Sequence, residues 1–300
     1  MFSDYRTDIL LDGASRSVPS YFGVIPPTAN LGKVRNKGYE FEIKLNKILH
    51  NGIRVWANLS MTHAKNKVID ADDPQLKDDY LKKAGKVIGQ TYSYVSSGYY
   101  NTWDQVYGST QLNTYDNQKL PGNLNMIDYN GDGVVDSKDV VPFGYPETPQ
   151  NTYNSTIGVE WKGFSAFVQF YAVTNANRYL QLQSFGGQYH YDNVYKLGSY
   201  WSPANTNGKV PIPRYASTLP YYGTNNLYDG SYVRLKNAEV SYTFKLSQLK
   251  RIGINAFRLY LNGDNLLLWT KMPDDREVSF GAATAYPTVR RFNLGCNITF

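Results

Sequence analysis

The alternation of side chains in the last eleven residues, 290–300, is the strongest constraint on what this chain can fold into. Every second residue there is apolar, and the residues between are small or polar. The apolar set is Phe292, Leu294, Cys296, Ile298 and Phe300. A period of two is that of a β-strand, whose successive side chains point to opposite faces. The apolar face packs on a core in a water-soluble sheet, whereas in a membrane barrel it faces lipid and the polar face lines the lumen.

The composition favours β structure and is compatible with either kind of sheet. The mean hydropathy of the 300 residues is −0.47, and no run of about 18 apolar residues could form a membrane-spanning helix. This does not argue against a membrane barrel, because alternating strands average out as polar. The 27 Tyr, 13 Phe and 5 Trp are residues that strands favour.

Charge, cysteine and histidine content narrow the function classes. The net charge is +6, but Lys and Arg are spread along the chain, so we predict a solvated surface and no nucleic-acid partner. The single cysteine, Cys296, excludes a disulfide within the chain and is predicted to be a small apolar side chain. The histidines have no metal-ligand spacing and no serine has a nucleophile motif, so no enzyme is predicted.

Seven further segments have strand patterns. They lie at 2–11, 36–46, 53–61, 153–161, 164–173, 231–244 and 257–262. The dipeptide Asn51-Gly52 marks one hairpin turn, and Lys162-Gly163 marks another. Within the connection 62–152, residues 73–83 are predicted to form a short helix, and residues 90–100 have room for a further pair of strands.

The lengths of the connections between these eight strands alternate. In order they are long, short, long, short, long, moderate and long. An up-and-down membrane barrel has this regularity, with short turns on its periplasmic side and long loops outside. A soluble sandwich has no reason to sort its loops in this way. We therefore predict an all-β, antiparallel, up-and-down transmembrane segment.

Several motifs, in this order, resemble the SusC/RagA family of TonB-dependent outer-membrane transporters. The matching pieces are NKGYEFE at 36–42, KVIGQ at 86–90, PG at 121–122, DYNGDG at 128–133, GF at 163–164, SYVRLKN at 231–237 and NGDNLLLWT at 262–270. One motif alone would be weak, but their order and spacing match the carboxyl-terminal part of that family over nearly the whole chain.

The resemblance implies a role in import. Residues 1–300 would supply about 8–10 strands of a 22-stranded barrel, multi-pass in the bacterial outer membrane and surrounded by its lipid. The family imports oligosaccharides or peptides with a SusD-like surface lipoprotein and draws energy through TonB. The charged start of the chain lacks the apolar core of a signal peptide. With no plug domain in 1–300 either, we expect a fragment, a truncated gene or a split assembly that would not transport alone.

Residues 128–139 have the spacing of a calcium-binding loop. The predicted oxygen donors are Asp128, Asn130, Asp132, Asp136 and Asp139, with the backbone carbonyl of Val134 and a glycine at the sharp turn. Asp139 is shorter than the glutamate usual at the last position, and no clear helix precedes the loop. A structural Ca²⁺ that pins an outer loop is the prediction, and a polar turn that binds nothing is the alternative.

Aromatic side chains crowd the long connections. The set is Tyr92, Tyr94, Tyr99, Tyr100, Trp103, Tyr107, Tyr189, Tyr191, Tyr195, Tyr200, Trp201, Tyr215, Tyr221 and Tyr222. Flat rings suit sugars, but we favour loop packing and an interfacial girdle for most of them. Two alternatives to a transporter remain open: a soluble all-β carbohydrate-binding module with a calcium loop, and a hydrolase. Adjacent loop carboxylates such as Asp72 and Asp73 do not support the hydrolase.

Overall fold

The computed structural model describes residues 1–13, 23–24, 26–179, 200–208, 211–212, 223–244, 253–272 and 288–300. The strands are β1 (Phe2–Leu11), β2 (Ala29–Ile48), β3 (Arg54–Asp70), β4 (Tyr92–Tyr94), β5 (Ser96–Tyr99), β6 (Gln111–Leu112), β7 (Leu124–Met126), β8 (Val134–Val135), β9 (Val140–Pro142), β10 (Asn151–Trp161), β11 (Phe164–Thr174), β12 (Asn177–Tyr179), β13 (Leu227–Asp229), β14 (Tyr232–Phe244), β15 (Ala256–Thr270) and β16 (Arg291–Thr299). Helical turns are short: α1 (Trp103–Tyr107) and the 3₁₀ turns Asp116–Gln118, Ser137–Asp139 and Thr224–Asn226. Within these ranges, no helix has the length and apolar character to cross a membrane.

One eight-stranded sheet dominates the structure. Its strand order is β1-β2-β3-β10-β11-β14-β15-β16, and every neighbouring pair is antiparallel. Because strands that follow one another in the sheet are also successive along the chain, the topology is up-and-down. The prediction of an all-β antiparallel fold with this topology is confirmed.

Short and long connections lie at opposite ends of the sheet. The β10–β11 turn consists of Lys162 and Gly163, whose φ angles of 46° and 90° suit the twist of a tight hairpin. The β2–β3 turn is closed by the hydrogen bond from the Leu49 N–H to the Ile53 carbonyl at 2.7 Å. The long connections 12–28, 71–150, 175–231 and 271–290 leave from the other end, as the sequence predicted.

The two faces of the sheet differ in chemistry. Cross-strand register places Phe41, Met61 and Tyr153 in one row, and Leu261 beside Leu294 in another, all on what we call the outer face. Phe41, Leu261 and Leu294 are 58%, 53% and 74% exposed. The opposite face, called the inner face, carries polar residues such as Asn58, Thr156, Asn262 and Asn293. Exposed apolar side chains in continuous rows require a non-aqueous neighbour.

Burial is concentrated in the long connection 71–150 instead of on the sheet. Leu112, Met126 and Val135 form a small core, against which Tyr94 and Leu124 pack. Short strand pairs hold this core together: β4 with β9, β5 with β7, and β6 with β8. The loop is therefore a folded unit with its own apolar interior at one end of the sheet.

Two sequence predictions need correction here. Residues 73–83 form turns and no helix, and the Asp73 carboxylate accepts hydrogen bonds from the N–H groups of Lys83 and Ala84 instead of capping a helix. Three strands are also longer than predicted: β2 begins at Ala29, β3 continues to Asp70 and β15 to Thr270. Residues 90–100 do contain two strands, β4 and β5, although each pairs with a later strand.

Candidate functional site on the inner face and in the long loop

Polar side chains on the inner face bond to each other across strands. Gln169 donates to Asn154 at 3.0 Å, Asn237 to Asp264 at 2.5 Å, and Asn293 to Asn262 at 2.8 Å. Arg258 forms an ion pair with Glu239 and also donates to the Ser241 hydroxyl at 3.1 Å. These hydrogen bonds run between neighbouring strands and keep the inner face polar, as expected of a surface that lines a water-filled space.

The long loop folds back over the inner face near the end with the long connections. Asn66 accepts a hydrogen bond from the Ile88 N–H at 2.6 Å, and the Ala64 N–H donates to the Gln150 carbonyl at 2.9 Å. A cavity of about 420 Å³ lies between strands and loop, and Asp4, Arg6 and Asn36 are among its lining residues. The strands also contribute Ile9, Val34 and Ala64 to the lining, so the cavity has polar and apolar walls.

The predicted calcium loop forms a tight turn held by its own side chains. The Asp128 carboxylate accepts the N–H groups of Gly131 and Gly133, both at 2.8 Å. Asn130 accepts the Asp132 N–H at 3.0 Å, and Asp132 accepts the Val134 N–H at 3.1 Å. The spacing therefore brings the oxygens of positions 128, 130 and 132 to one turn, while the strand β8 starts at Val134.

Asp139 has a different environment from the other predicted ligands. Its side chain is fully buried. One carboxylate oxygen accepts the N–H groups of Tyr129 and Asn130 at 2.7 and 3.2 Å, and the other accepts the Asp136 N–H at 2.7 Å. Both oxygens are thus occupied by backbone donors, and the carboxylate ties the start of the loop to its end.

The side chain of Lys138 lies close to two of the remaining predicted ligands, Asp132 and Asp136. The Lys138 ammonium lies 3.4 Å from Asp132 and 3.8 Å from Asp136. Its hydrogen bond to Asp132 and the charge of Asp136 raise the pKa of Lys138, while bonds from Asn130 and Val134 lower the pKa of Asp132. Across the described part of the chain, no group of three or more His, Cys, Asp or Glu side chains is placed to hold a metal ion. A cation could use Asp128, Asn130, Asp132 and Asp136 only after Lys138 moves aside.

The loop aromatics divide into packed and exposed members. Tyr100 and Trp201 are buried, and the Trp201 indole donates to Asn101 at 3.0 Å, which joins the connection 175–231 to the connection 71–150. Burial raises the pKa of Tyr99 to about 12. Trp103 and Tyr107 are exposed and stack on each other with ring centroids 5.9 Å apart. The predicted aromatics at 189, 191, 195, 215, 221 and 222 lie outside the described residues.

An ion pair between a buried lysine and a partly exposed aspartate in the loop was not predicted from the sequence. Lys119 is buried, and its ammonium lies 2.6 Å from Asp116, 2.8 Å from the Ser109 hydroxyl and 3.2 Å from the Thr110 carbonyl. Burial raises the pKa of Asp116, but the Leu112 N–H and Lys119 outweigh it and the net shift is downward. The only sequence signal for this ion pair is the spacing of three residues between Asp116 and Lys119, which is also common among solvated surface residues.

Proteins of similar sequence are known. No family model matches the chain. TonB-dependent receptor P3 of Formosa agariphila is 29% identical over an alignment that covers 95% of this chain and 30% of that protein. TonB-dependent receptor SusC of Bacteroides thetaiotaomicron is 24% identical, with 98% and 29% covered. This chain is similar in sequence to these TonB-dependent receptors. It spans about a third of their length.

The same architecture occurs in solved structures. A chain of the RagAB peptide importer in its closed-closed state superposes on 99% of this chain with a TM-score of 0.68 and 18% identity. A structure of the RagAB peptide transporter gives 0.67 at 19% identity. In each case about a third of the larger chain is matched, so this chain has the fold of one part of that larger structure. The resemblance inferred from the motifs is confirmed.

Proposed function

We propose that residues 1–300 form the carboxyl-terminal sector of the barrel wall of a SusC-like TonB-dependent importer in the bacterial outer membrane. The observation that carries this proposal is the chemistry of the sheet, with apolar rows exposed on the outer face and bonded polar groups on the inner face. In such a wall the outer face meets lipid and the inner face lines the path of the solute. The similarity to TonB-dependent receptors supports the same role.

The soluble carbohydrate-binding module is disfavoured by the same observation. Of the large apolar side chains on the outer face, many are more than a third exposed, including Phe41, Ile157, Val240 and Leu294. A monomeric soluble protein rarely exposes a continuous apolar surface of this extent. The relatives are named as receptors and importers rather than enzymes, and we assign the chain no catalytic role.

The proposed partners and cargo follow from the importer role. We propose that the complete protein works with a SusD-like surface lipoprotein and TonB, and that it takes up oligosaccharides or peptides. The folded loop 71–150, with its exposed Trp103–Tyr107 stack, offers a surface for such a lipoprotein or for the cargo.

The test is isolation of the protein from its own cell. The tagged protein is extracted from the outer-membrane fraction in mild detergent, and its stoichiometric partners are identified by mass spectrometry. We expect the protein in that fraction together with one surface lipoprotein. Recovery in the soluble fraction, without detergent, would contradict the proposal.

We also propose that the turn 128–136 takes up Ca²⁺. Three oxygen-bearing side chains, Asp128, Asn130 and Asp132, already gather at this turn, and hard cations favour such oxygen donors. The test is protease protection of the loop in the membrane-inserted protein, with calcium or with chelator. We expect protection that depends on calcium and is lost in Asp128→Ala/Asp132→Ala. Equal protease protection with calcium and with chelator would contradict the proposed calcium site.

A further inference from the structure

Four basic side chains form a compact block on the outer face of β2 and β3. Arg35 pairs in register with Lys67, and Lys37 with Lys65. Directly paired residues of neighbouring strands point to the same face. All four are exposed. We call these four residues the basic block.

The basic block lies immediately beyond the apolar rows. The next row toward the short turns is Tyr39 with His63, whose rings stack with centroids 5.0 Å apart. The rows after it are Phe41 with Met61 and Ile43 with Leu59. Arg35 is four residues from Tyr39, which is roughly 13 Å along a strand. In the proposed barrel this position, at the end with the long connections, is the level of the outer-leaflet headgroups.

The basic block has no neutralising partner among the residues that the structure describes. The nearby acidic groups bind elsewhere: Asp70 pairs with Lys33 at 3.4 Å, and Asp4 pairs with Arg6 at 2.8 Å. Arg35 lies over the Tyr5 ring, 5.4 Å from its centroid, which leaves its charge in place. Like charges directly opposite each other destabilise a sheet. A bound anion would relieve the repulsion within these two adjacent pairs.

The shape of this surface suits a headgroup. A shallow depression of about 920 Å³ includes all four basic residues in its lining, together with Tyr39, His63 and Ile69. The four cations thus line a depression that continues, toward the short turns, into the apolar rows of the outer face. A phosphorylated headgroup could sit among the cations while its acyl chains lie along the outer face of the same strands.

We propose that the basic block binds the phosphate groups of an anionic lipid headgroup in the outer leaflet. This inference rests on the proposed function, because it requires the outer face to meet lipid. Arginine can contact phosphate through two parallel hydrogen bonds, and lysines add point charges. Each basic side chain near an anionic lipid surface raises affinity roughly five-fold.

The test is native mass spectrometry of the protein extracted from its own outer membrane in mild detergent. It compares the parent with Arg35→Gln/Lys37→Gln/Lys65→Gln/Lys67→Gln. The control, Lys44→Gln/Lys47→Gln/Lys162→Gln, removes exposed lysines at the opposite end of the sheet. We expect the neutralised variant to lose at least about ten-fold of the co-purified phosphorylated lipid, and the control and the parent to keep it. Should the neutralised variant fail to insert, Lys37→Gln/Lys65→Gln replaces it, with a partial loss expected.

The outcomes separate this inference from the proposed function. Equal lipid phosphate on the parent and the neutralised variant, both inserted, would overturn the lipid site and leave the barrel intact. Displacement of the lipid by an excess of inorganic phosphate would show a phosphate site without lipid selectivity, and would also overturn it. A parent protein absent from the outer membrane would overturn the proposed function itself.

Discussion

At the scale of single residues, backbone donors decide what the loop carboxylates can do. In the segment 128–139, oxygens of positions 128, 130 and 132 accept backbone hydrogen bonds within one turn, and the calcium site read from their spacing stays a prediction. The spacing could not predict the burial of Asp139, because that depends on how the loop packs around Val135 and on donors from Tyr129 and Asn130. Whether an aspartate is a ligand or a structural acceptor is set by tertiary contacts that its spacing does not reveal.

Asp139→Asn is expected to loosen the loop. The amide replaces one of two oxygens that together accept three backbone N–H groups. The loss should lower the free energy of opening the loop by roughly 2–3 kcal/mol. Hydrogen exchange at the Tyr129 and Asn130 amides measures this directly. The matched control, Asp132→Asn, alters an exposed side chain and should change exchange at these amides little. Equal effects of both substitutions would argue against a structural role for Asp139.

The Asp116–Lys119 pair should make the loop sensitive to acid. Because the folded pKa of Asp116 is lowered, its stabilising contribution is complete above its ordinary value of 3.8 and is lost as the pH falls through the folded value. Asp116→Asn should remove this acid sensitivity and destabilise the loop at neutral pH by about 1–2 kcal/mol, since Asp116 is partly exposed. Exchange of the Leu112 amide as a function of pH is the measurement. An unchanged pH profile in the variant would contradict the assignment.

Lys138 is expected to oppose cation uptake by the loop. Its ammonium lies close to both Asp132 and Asp136, so a bound cation must displace it. Lys138→Gln should therefore raise calcium affinity about five-fold or more, on the scale of one removed like charge. Calcium titration of the membrane-inserted protein, followed by protease protection, checks this. Unchanged affinity would mean that the cation does not approach these two carboxylates.

At the scale of elements, period-two alternation predicted the large sheet where one face is apolar and the other polar. It failed where strands extend beyond that zone, as in β2 before Asn36 and in β3 after Met61. There both faces carry polar or charged residues, such as Arg35 and Lys67 on the outer face and Asn66 on the inner face, so the alternation of apolar and polar residues is lost. The predicted helix over 73–83 failed because Asp73 binds the N–H groups of residues 83 and 84 and holds turns instead.

An introduced arginine should destabilise the protein on the outer face of β15 and be tolerated on its inner face. Leu261 is on the outer face and 53% exposed. Leu261→Arg should destabilise a barrel wall in lipid by about 2–4 kcal/mol, although a substitution on an ordinary wet surface changes stability by only about 0.5 kcal/mol. The neighbouring inner-face variant, Asn262→Arg, is the control and should insert normally. The yield of heat-modifiable protein in the outer membrane is the readout, and equal yields would count against a lipid-facing surface.

At the scale of the whole molecule, the apolar and polar surfaces are arranged in the reverse of a soluble domain. The sheet exposes its apolar face, and the buried apolar core lies in the long loop around Leu112, Met126 and Val135. The alternation of connection lengths predicted the overall topology because it depends only on where strands begin and end. The docking of the connection 175–231 onto the connection 71–150 through Trp201 and Asn101 could not be predicted, because no local pattern joins residues 100 positions apart.

The most direct test of the central claim uses the single cysteine in the sequence. Cys296 is exposed on the outer face of β16, beside Leu259. A spin label at Cys296 in the membrane-inserted protein should collide readily with oxygen, which dissolves in lipid, and little with a water-soluble nickel chelate. A label at 297, in Cys296→Ser/Asn297→Cys, should show the reverse. Higher access of the nickel chelate at 296 than at 297 would contradict the assignment of the apolar outer face to lipid.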